Sequence, residues 1–320
     1  MDISIVVPVF NEVESIEALG RSLHETLSRS GRTYEIILVD DGSTDGSFEA
    51  MATLRSELPH LRVIQFRRNF GQTAAISAGF TQARGEVVVT MDADLQNDPG
   101  DIPRLLEEMT ADTDVVSGWR KKRQDAFFSR RVPSQLANAL ISAITGVKLH
   151  DYGCTLKAYR RDIVRDIRLY GEMHRFLPAL ASWVGGRVKE IPVTHHPRRF
   201  GTSKYGLSRI SRVVLDLMTV KFLMRFSTRP IHVFGKWGLI SAAAGLAVIA
   251  VMVIPHLSFQ LFGTTFAADL IKRPFWIMSA FMLIFFSLQF ISIGLLAELQ
   301  IRTYHESQNK PIYVIRTILG

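Results

Sequence analysis

The stretch VVVTMDADLQNDPG, residues 87–100, joins an apolar strand directly to two aspartates and a turn. An apolar run without polar alternation is typical of a strand that is buried on both faces of a parallel sheet. Asp92 and Asp94 follow where such a strand would end. A carboxylate that leaves water needs a cation or a hydrogen-bond donor nearby. This junction therefore predicts either an ordinary strand end or a functional site at the edge of a sheet.

Strand and helix patterns alternate outward from this stretch. Short apolar runs predict strands at 3–10, 34–43, 61–66, 85–94, 114–118 and 186–195. Helical spacing of apolar residues predicts helices at 11–30, 45–57, 73–83, 102–110, 134–145 and 175–184. Alternation of this kind is typical of an α/β fold with a mostly parallel sheet and helices on both faces.

Acidic turns follow three of the predicted strands, in the sequences PVFNE (8–12), VDDGS (39–43) and MDADLQ (91–96). Ligands of parallel α/β sheets bind beyond the carboxyl ends of the strands. Asp and Asn also favour helix caps and turns, so one such turn alone would predict little. Three turns at the same edge predict a ligand site.

The chemistry of Asp92 and Asp94 favours a divalent cation at that site. Carboxylates two residues apart at a strand end can converge on one ion, and Mg²⁺ or Mn²⁺ prefers their oxygens and bridges to phosphate. The chain has no His/Cys spacing typical of zinc, no P-loop and no G-x-G-x-x-G fingerprint. A nucleoside diphosphate would therefore be held by the cation and by arginines.

Two long uncharged runs lie in the last third of the chain, Trp237–Ile254 with 18 residues and Phe275–Leu296 with 22. A helix needs about 20 apolar residues to cross a bilayer. Two buried core helices are the alternative, but neither run has the amphipathic period of a soluble helix. We expect two transmembrane helices.

The charge pattern predicts the orientation and the compartment. Basic residues flank the two runs, whereas the loop 255–274 has only Lys272 and Arg273, so both termini are expected in the cytoplasm. The N-terminus lacks a signal-peptide pattern, and the single cysteine, Cys154, suits a reducing compartment. We expect a multi-pass protein of the inner (cytoplasmic) membrane.

The basic charge is concentrated next to the apolar runs. The net charge is +8, and the segment 195–236 holds nine Lys/Arg and one acid. Within it, 208–226 predicts a basic amphipathic helix, which is typical of an interfacial position on anionic lipid. Nucleic acid is the competing explanation, but the adjacency to the runs favours membrane lipids, and we expect no nucleic-acid partner.

Six motifs together resemble one family. VVPVFNE, VDDGSTD, RNFGQTAAISAGF, MDADLQNDP, DYGCTLKAYRR and RRFGTSKY, with two C-terminal runs, resemble the polyprenyl-phosphate glycosyltransferases of glycosyltransferase family 2. Within that family, the undecaprenyl-phosphate 4-deoxy-4-formamido-L-arabinose transferases are the most similar in motif. The resemblance implies inverting transfer of a sugar from a nucleotide donor, expected to be a UDP-sugar, to undecaprenyl phosphate, with Mg²⁺ or Mn²⁺.

The resemblance also implies a domain plan. A cytoplasmic glycosyltransferase-A (Rossmann-like) domain would cover 1–205, an interfacial helical region 206–232, the two transmembrane helices 233–297 and a cytoplasmic tail 298–320.

Roles for individual residues follow from the resemblance as well. It places the nucleotide at Pro8, Phe10, Glu12, Asp40 and Asp41, with Arg198 and Lys204 closing over the phosphates. It assigns the metal to Asp92, Asp94 and Gln96, and the acceptor phosphate to Arg120 and Arg131. Some members have an aspartate as base before the central motif. Here Cys154 or Thr155 matches it, which leaves Asp151 as the candidate base.

A base is not required by the chemistry of this acceptor. A hydroxyl acceptor must lose its proton during attack, whereas a phosphomonoester with a second pKa of about 6 is already anionic. Two rival functions remain: a transferase of the same fold with another lipid or glycan acceptor, and a membrane subunit that binds nucleotide sugar without turnover. Lateral association of protomers into a homo-oligomer is also expected.

Overall fold

The computed structural model of the chain describes residues 1–121, 132–197, 215–222 and 311–320, with single helical positions between 278 and 303. The chain divides into two compact units, Met1–Met224 with Lys310–Gly320, and Arg225–Asn309. Nearly all described residues belong to the first unit, and the single helical positions belong to the second.

The described residues of the first unit form a sheet of eight strands with helices between them. The strands are β1 (Ile3–Val9), β2 (Tyr34–Asp40), β3 (Leu61–Phe66), β4 (Val87–Thr90), β5 (Val115–Trp119), β6 (Lys157–Arg160), β7 (Val188–Pro192) and β8 (Ile315–Leu319). The helices are α1 (Val13–Ser28), α2 (Ser47–Glu57), α3 (Gln72–Gln82), α4 (Ile102–Glu107), α5 (Val132–Thr145), α6 (Arg161–Asp166) and α7 (Leu177–Trp183). Short 3-10 helices occupy Pro99–Asp101 and Met173–Phe176.

The sheet has the order β7-β5-β6-β4-β1-β2-β3-β8. Strands β4, β1, β2 and β3 run parallel at its centre, and β5 is parallel to β7. Strand β6 is antiparallel to both β4 and β5, and β8 is antiparallel to β3. The predicted α/β fold is therefore confirmed, while the sheet is mixed, because three of its pairings are antiparallel.

The central strands are buried on both faces, as their apolar runs predict. Every residue of β2 and nearly every residue of β1 is buried, and Ile5 of β1 lies opposite Ile36 of β2. Helix α1 covers one face of this centre with an apolar stripe at helical spacing. Its buried members include Ile16, Leu19, Leu23 and Leu27.

Strand β8 lies in the segment predicted as a tail. It pairs antiparallel with β3, with Val63 opposite Leu319 and Gln65 opposite Thr317. Before it, the ring of Tyr313 stacks on Phe66 with centroids 5.1 Å apart. The sequence analysis did not predict this strand, since its partner lies about 250 residues earlier and no local turn pattern marks the pairing.

Most of the predicted membrane segments lie outside the described residues. No helix in the described part of the chain is long and apolar enough to cross a membrane. The predicted run 237–254 is not described, and 275–296 is described only at single helical positions. Of the predicted amphipathic helix 208–226, residues 215–222 are helical, with Leu217 buried and Leu215 and Met218 exposed.

Candidate functional site

Three turns at the carboxyl ends of β1, β2 and β4 lie at one edge of the parallel strands. The turn after β1 is bonded to the turn after β2. The Asn11 N–H donates to Ser43 Oγ at 3.0 Å, and Asn11 Oδ1 accepts from the Thr44 N–H at 2.9 Å. The three residues predicted on this turn, Pro8, Phe10 and Glu12, are half-buried beside that connection.

Asp40, the last residue of β2, is fully buried. Its Oδ1 accepts from the Ser43 N–H at 2.9 Å. Among the described residues, its Oδ2 has no hydrogen-bond partner. A buried carboxylate oxygen without a donor costs about 1–3 kcal/mol or more. Asp40 Oδ2 can therefore accept a hydrogen bond from a ligand or from a residue that the structure does not describe.

The carboxylate of Asp41 organises a second loop. It accepts the N–H of Phe70 at 2.7 Å and the N–H of Gly71 at 2.9 Å. Burial raises the pKa of Asp41 to about 6, although both N–H groups favour the charged form. Gly42 allows the turn after β2 to pack closely against the loop after β3. Its φ is +71°, and a Cβ there would lie 2.5 Å from the Arg68 carbonyl carbon.

Asp92 and Asp94 follow β4, as predicted, and both side chains are half-buried. Burial and the charge of Asp94 raise the pKa of Asp92. Asp94 Oδ1 accepts from the Gln96 N–H at 3.2 Å. Leu95, the residue between Asp94 and Gln96 in the chain, has a φ of +59°, which is uncommon for a residue with a Cβ. The turn thus holds two carboxylates together at the cost of repulsion and backbone strain.

This donor set fits a hard divalent cation. Two carboxylates that oppose each other's ionisation are stabilised by a positive ion between them, which is the electrostatic condition found at Asp92. In the described part of the chain, no three His, Cys, Asp or Glu side chains gather into a larger metal cluster. Mg²⁺ is commonly held by one or two carboxylates together with substrate phosphates.

Gln72, the first residue of α3, contacts Asp92 directly. Its Nε2 donates to Asp92 Oδ1 at 2.7 Å. Gln72 belongs to the motif RNFGQTAAISAGF, from which no role for this residue was predicted. The contact joins residues 20 positions apart on different elements, and only the order of the strands brings them together.

Arg120 follows β5 and forms a two-pronged ion pair with Asp151. Arg120 Nε lies 2.7 Å from Asp151 Oδ2, and Nη2 lies 3.0 Å from Oδ1. Both side chains are largely buried, 13 % and 3 % exposed respectively. Burial alone would lower the pKa of Arg120, but the hydrogen bond and charge of Asp151 raise it. Because both oxygens of Asp151 hold Arg120, the arrangement favours a positioning role for Asp151 over a base.

The side chain of Lys157 on β6 is also buried, only 3 % exposed. Its Nζ donates to the carbonyl oxygens of Tyr152 and Cys154, and burial lowers its pKa. It therefore fixes the turn that follows Asp151. Burial also raises the pKa of the Cys154 thiol to about 11, which keeps it protonated at neutral pH.

Three of the predicted site residues, Arg131, Arg198 and Lys204, lie outside the described residues. The chain just before Arg198 is described and lies against the turn after β4. The His196 N–H donates to the Gln96 carbonyl at 2.8 Å, and His195 pairs with Asn97 as an isolated bridge.

The acidic residues lie at the carboxyl ends of parallel strands, where α/β sheets bind their ligands. Comparison with known proteins agrees. Residues 4–168 match the model of glycosyl transferase family 2. The chain belongs to this family, and the family predicted from the motifs is confirmed.

Full-length relatives share nearly the whole chain. A dodecaprenyl-phosphate galacturonate synthase of Rhizobium johnstonii is 45% identical, covering 99% of this chain and 93% of the relative. An undecaprenyl-phosphate 4-deoxy-4-formamido-L-arabinose transferase of Sodalis glossinidius is 39% identical, covering 99% and 94%. The sequence identity to the galacturonate synthase is higher than that to the arabinose transferase. Together with the family match, these relatives show that the chain is a glycosyltransferase.

The solved structures show the fold. The crystal structure of glucosyl-3-phosphoglycerate synthase from Mycobacterium tuberculosis, in complex with Mn²⁺ and UDP-glucose, superposes with a TM-score of 0.52. It is 18% identical, and the match covers 69% of this chain and 78% of that one. The predicted glycosyltransferase-A fold is confirmed for the first unit.

Proposed function

We propose that this glycosyltransferase moves a sugar from a nucleoside diphosphate donor to a polyprenyl phosphate, with undecaprenyl phosphate as the acceptor. The observation that carries the proposal is that the Asp92 carboxylate lies within electrostatic range of both Asp94 and the Arg120 guanidinium, which Asp151 holds in place. Both named relatives act, by their names, on polyprenyl phosphates.

The buried acceptor at Asp40 supports the donor half of the proposal. Its unpaired Oδ2 would accept an N–H or O–H of the nucleoside. Uracil carries such an N–H on its ring, and a UDP-sugar is the donor we propose. Pro8, Phe10 and Glu12 would line the same pocket from the turn after β1, and Arg198 and Lys204 would close over the diphosphate.

The carboxylates Asp92 and Asp94 would hold Mg²⁺ or Mn²⁺, with Gln96 beside them. When bound, the cation supplies positive charge to the diphosphate that leaves the sugar. The chain's own contribution is to keep both carboxylates in one turn and to shield them partly from water. Such fixed charges act without reorganising during the reaction.

The acceptor half of the proposal rests on Arg120. Asp151 fixes its guanidinium, which would bind the acceptor phosphate, with Arg131 as a second cation. The phosphate oxygen, already anionic, forms the new bond to the anomeric carbon. The bond from that carbon to the diphosphate breaks, and the diphosphate leaves with the electron pair. Attack from the opposite face inverts the anomeric carbon, and no protein base is needed.

We place the chain in the inner membrane, with 237–254 and 275–296 as two transmembrane helices and the first unit in the cytoplasm. Hydropathy and flanking basic residues support this. Impermeant thiol labelling of intact cells tests it, because Cys154 is buried and its thiol protonated. Thr264→Cys is expected to label from outside, and Val314→Cys only after lysis. Labelling of Val314→Cys in intact cells would contradict the orientation.

The reaction is tested by transfer of label into organic-extractable lipid. Purified chain is mixed with undecaprenyl phosphate, Mn²⁺ or Mg²⁺ and a panel of nucleotide sugars that includes UDP-galacturonate. Transfer from one donor, abolished by EDTA and by Asp94→Asn, is expected. Transfer only to another lipid or glycan would favour that rival acceptor. Nucleotide binding without any transfer would favour a non-catalytic binding subunit.

A further inference from the structure

We propose that Gln72 is a positioning residue that orients the Asp92 carboxylate for cation binding. The inference rests on the proposed function, since it assigns a role next to the cation site. Gln72 ends the motif RNFGQ, residues 68–72. This motif is not part of the three acidic turns or of the predicted metal ligands.

The Asp92 carboxylate is held by two neutral donors. Gln72 Nε2 donates to its Oδ1 at 2.7 Å, and the Thr155 hydroxyl also bonds to it. A hydrogen bond of this length to a carboxylate is charge-assisted and directional. Two such donors fix the plane of the carboxylate and so orient its oxygens for a cation.

The loop before α3 fixes Gln72 in turn. Asp41 accepts the N–H groups of Phe70 and Gly71, and the Phe70 ring meets Phe66 edge-on at 5.7 Å. Gly71 has a φ of +96° immediately before the helix, a conformation that favours glycine. The side chain of Gln72 therefore leaves a backbone that is anchored from two sides.

A neutral amide suits this position better than a charged group. A lysine would donate equally well but would repel the cation, and a glutamate would repel Asp92. Partners that orient a metal ligand in this way are typically worth about 10–100-fold in metal affinity. We therefore expect loss of the amide to weaken cation binding about 10-fold or more, without changing the fold.

The test measures Mn²⁺ binding itself. Full-length chain in detergent is titrated with Mn²⁺ in the presence of UDP, and free Mn²⁺ is followed by its electron paramagnetic resonance signal. Gln72→Met keeps the length of the side chain and removes the donor. Gln82→Met is the matched control, because Gln82 ends the same helix and bonds to Arg62, away from the site.

The expected result is a Kd for Mn²⁺ that is about 10-fold or more higher in Gln72→Met. Gln82→Met should bind as the wild type does, and the UDP affinity without Mn²⁺ should be unchanged in both. If Gln72→Met does not melt cooperatively, Gln72→Ala is measured in its place. An unchanged Kd in a folded Gln72 variant would overturn the inference and leave the proposed function standing. A wild-type chain that binds no Mn²⁺ with UDP would instead overturn the proposed cation site.

Discussion

Removal of the Asp151 charge distinguishes a positioning role from a base. In Asp151→Asn the side chain keeps its shape, but Arg120 loses its anionic partner. Both groups are largely buried, 13 % and 3 % exposed. Loss of one partner from a buried pair costs about 3–5 kcal/mol. Because Asp151→Asn keeps one oxygen that can accept from Arg120, we expect a loss of about 3 kcal/mol, at the low end of this range. Urea unfolding measures that loss.

The matched control for stability is Asp112→Asn. Asp112 also pairs with an arginine, Arg187, at 2.8 Å, but their side chains are 92 % and 53 % exposed. An exposed pair contributes about 0–1 kcal/mol. The difference between the two variants therefore reports the burial of the Arg120–Asp151 pair rather than the loss of any carboxylate.

The catalytic readout is a double-mutant cycle on kcat/KM for undecaprenyl phosphate. If Asp151 acts only by holding Arg120, Arg120→Ala should lower kcat/KM about 100-fold, a typical loss for one charge-stabilising group. Asp151→Asn should lower it less, mainly through KM, and the double variant should match Arg120→Ala alone. Two results together would refute this reasoning. The losses in the double variant would be multiplicative, and Asp151→Asn alone would lower kcat about 10²-fold or more with an unchanged KM. Asp151 would then be assigned as the general base.

Two further predictions concern the frame around the site. Tyr313→Ala removes a buried ring stacked on Phe66, so we expect a loss of about 3 kcal/mol in urea unfolding, whereas exposed Val314→Ala should change little. Burial raises the pKa of Asp41 from 3.8 to about 6, so the folded state binds this proton more tightly than the unfolded state. The resulting stability is full below about pH 4 and lost as pH rises through about 6. Stability measured from pH 4 to 7 should fall less in Asp41→Asn than in the wild type, and parallel curves would contradict this assignment.

The sequence predicted the parts of the fold that are encoded locally. The buried strands β1 to β4 and the acidic turns after β1, β2 and β4 follow from apolar runs and from turn residues next to them. The observed bounds of α1 to α4 lie within three residues of the predicted ones. Asp40, Asp92 and Asp94 could be placed at one edge because parallel strands end together.

The parts that the sequence did not predict depend on long-range pairing. Strand β6 runs antiparallel between β4 and β5, and its four residues, KAYR, carry no period from which direction could be read. Lys157 on this strand is buried because carbonyl oxygens of the turn after Asp151 surround its ammonium group. The Gln72–Asp92 contact likewise needs the strand order, which no residue pattern specifies.

The pairing of β8 with β3 bears on the proposed membrane topology. The first unit contains residues on both sides of 225–309, and β8 shares a sheet with β3. Two segments paired in one sheet must lie on the same side of a membrane. A segment between them that enters the bilayer must therefore return, so it can cross only an even number of times. The strand pairing is independent of the basic flanking residues, and it supports the proposed two spans over one or three.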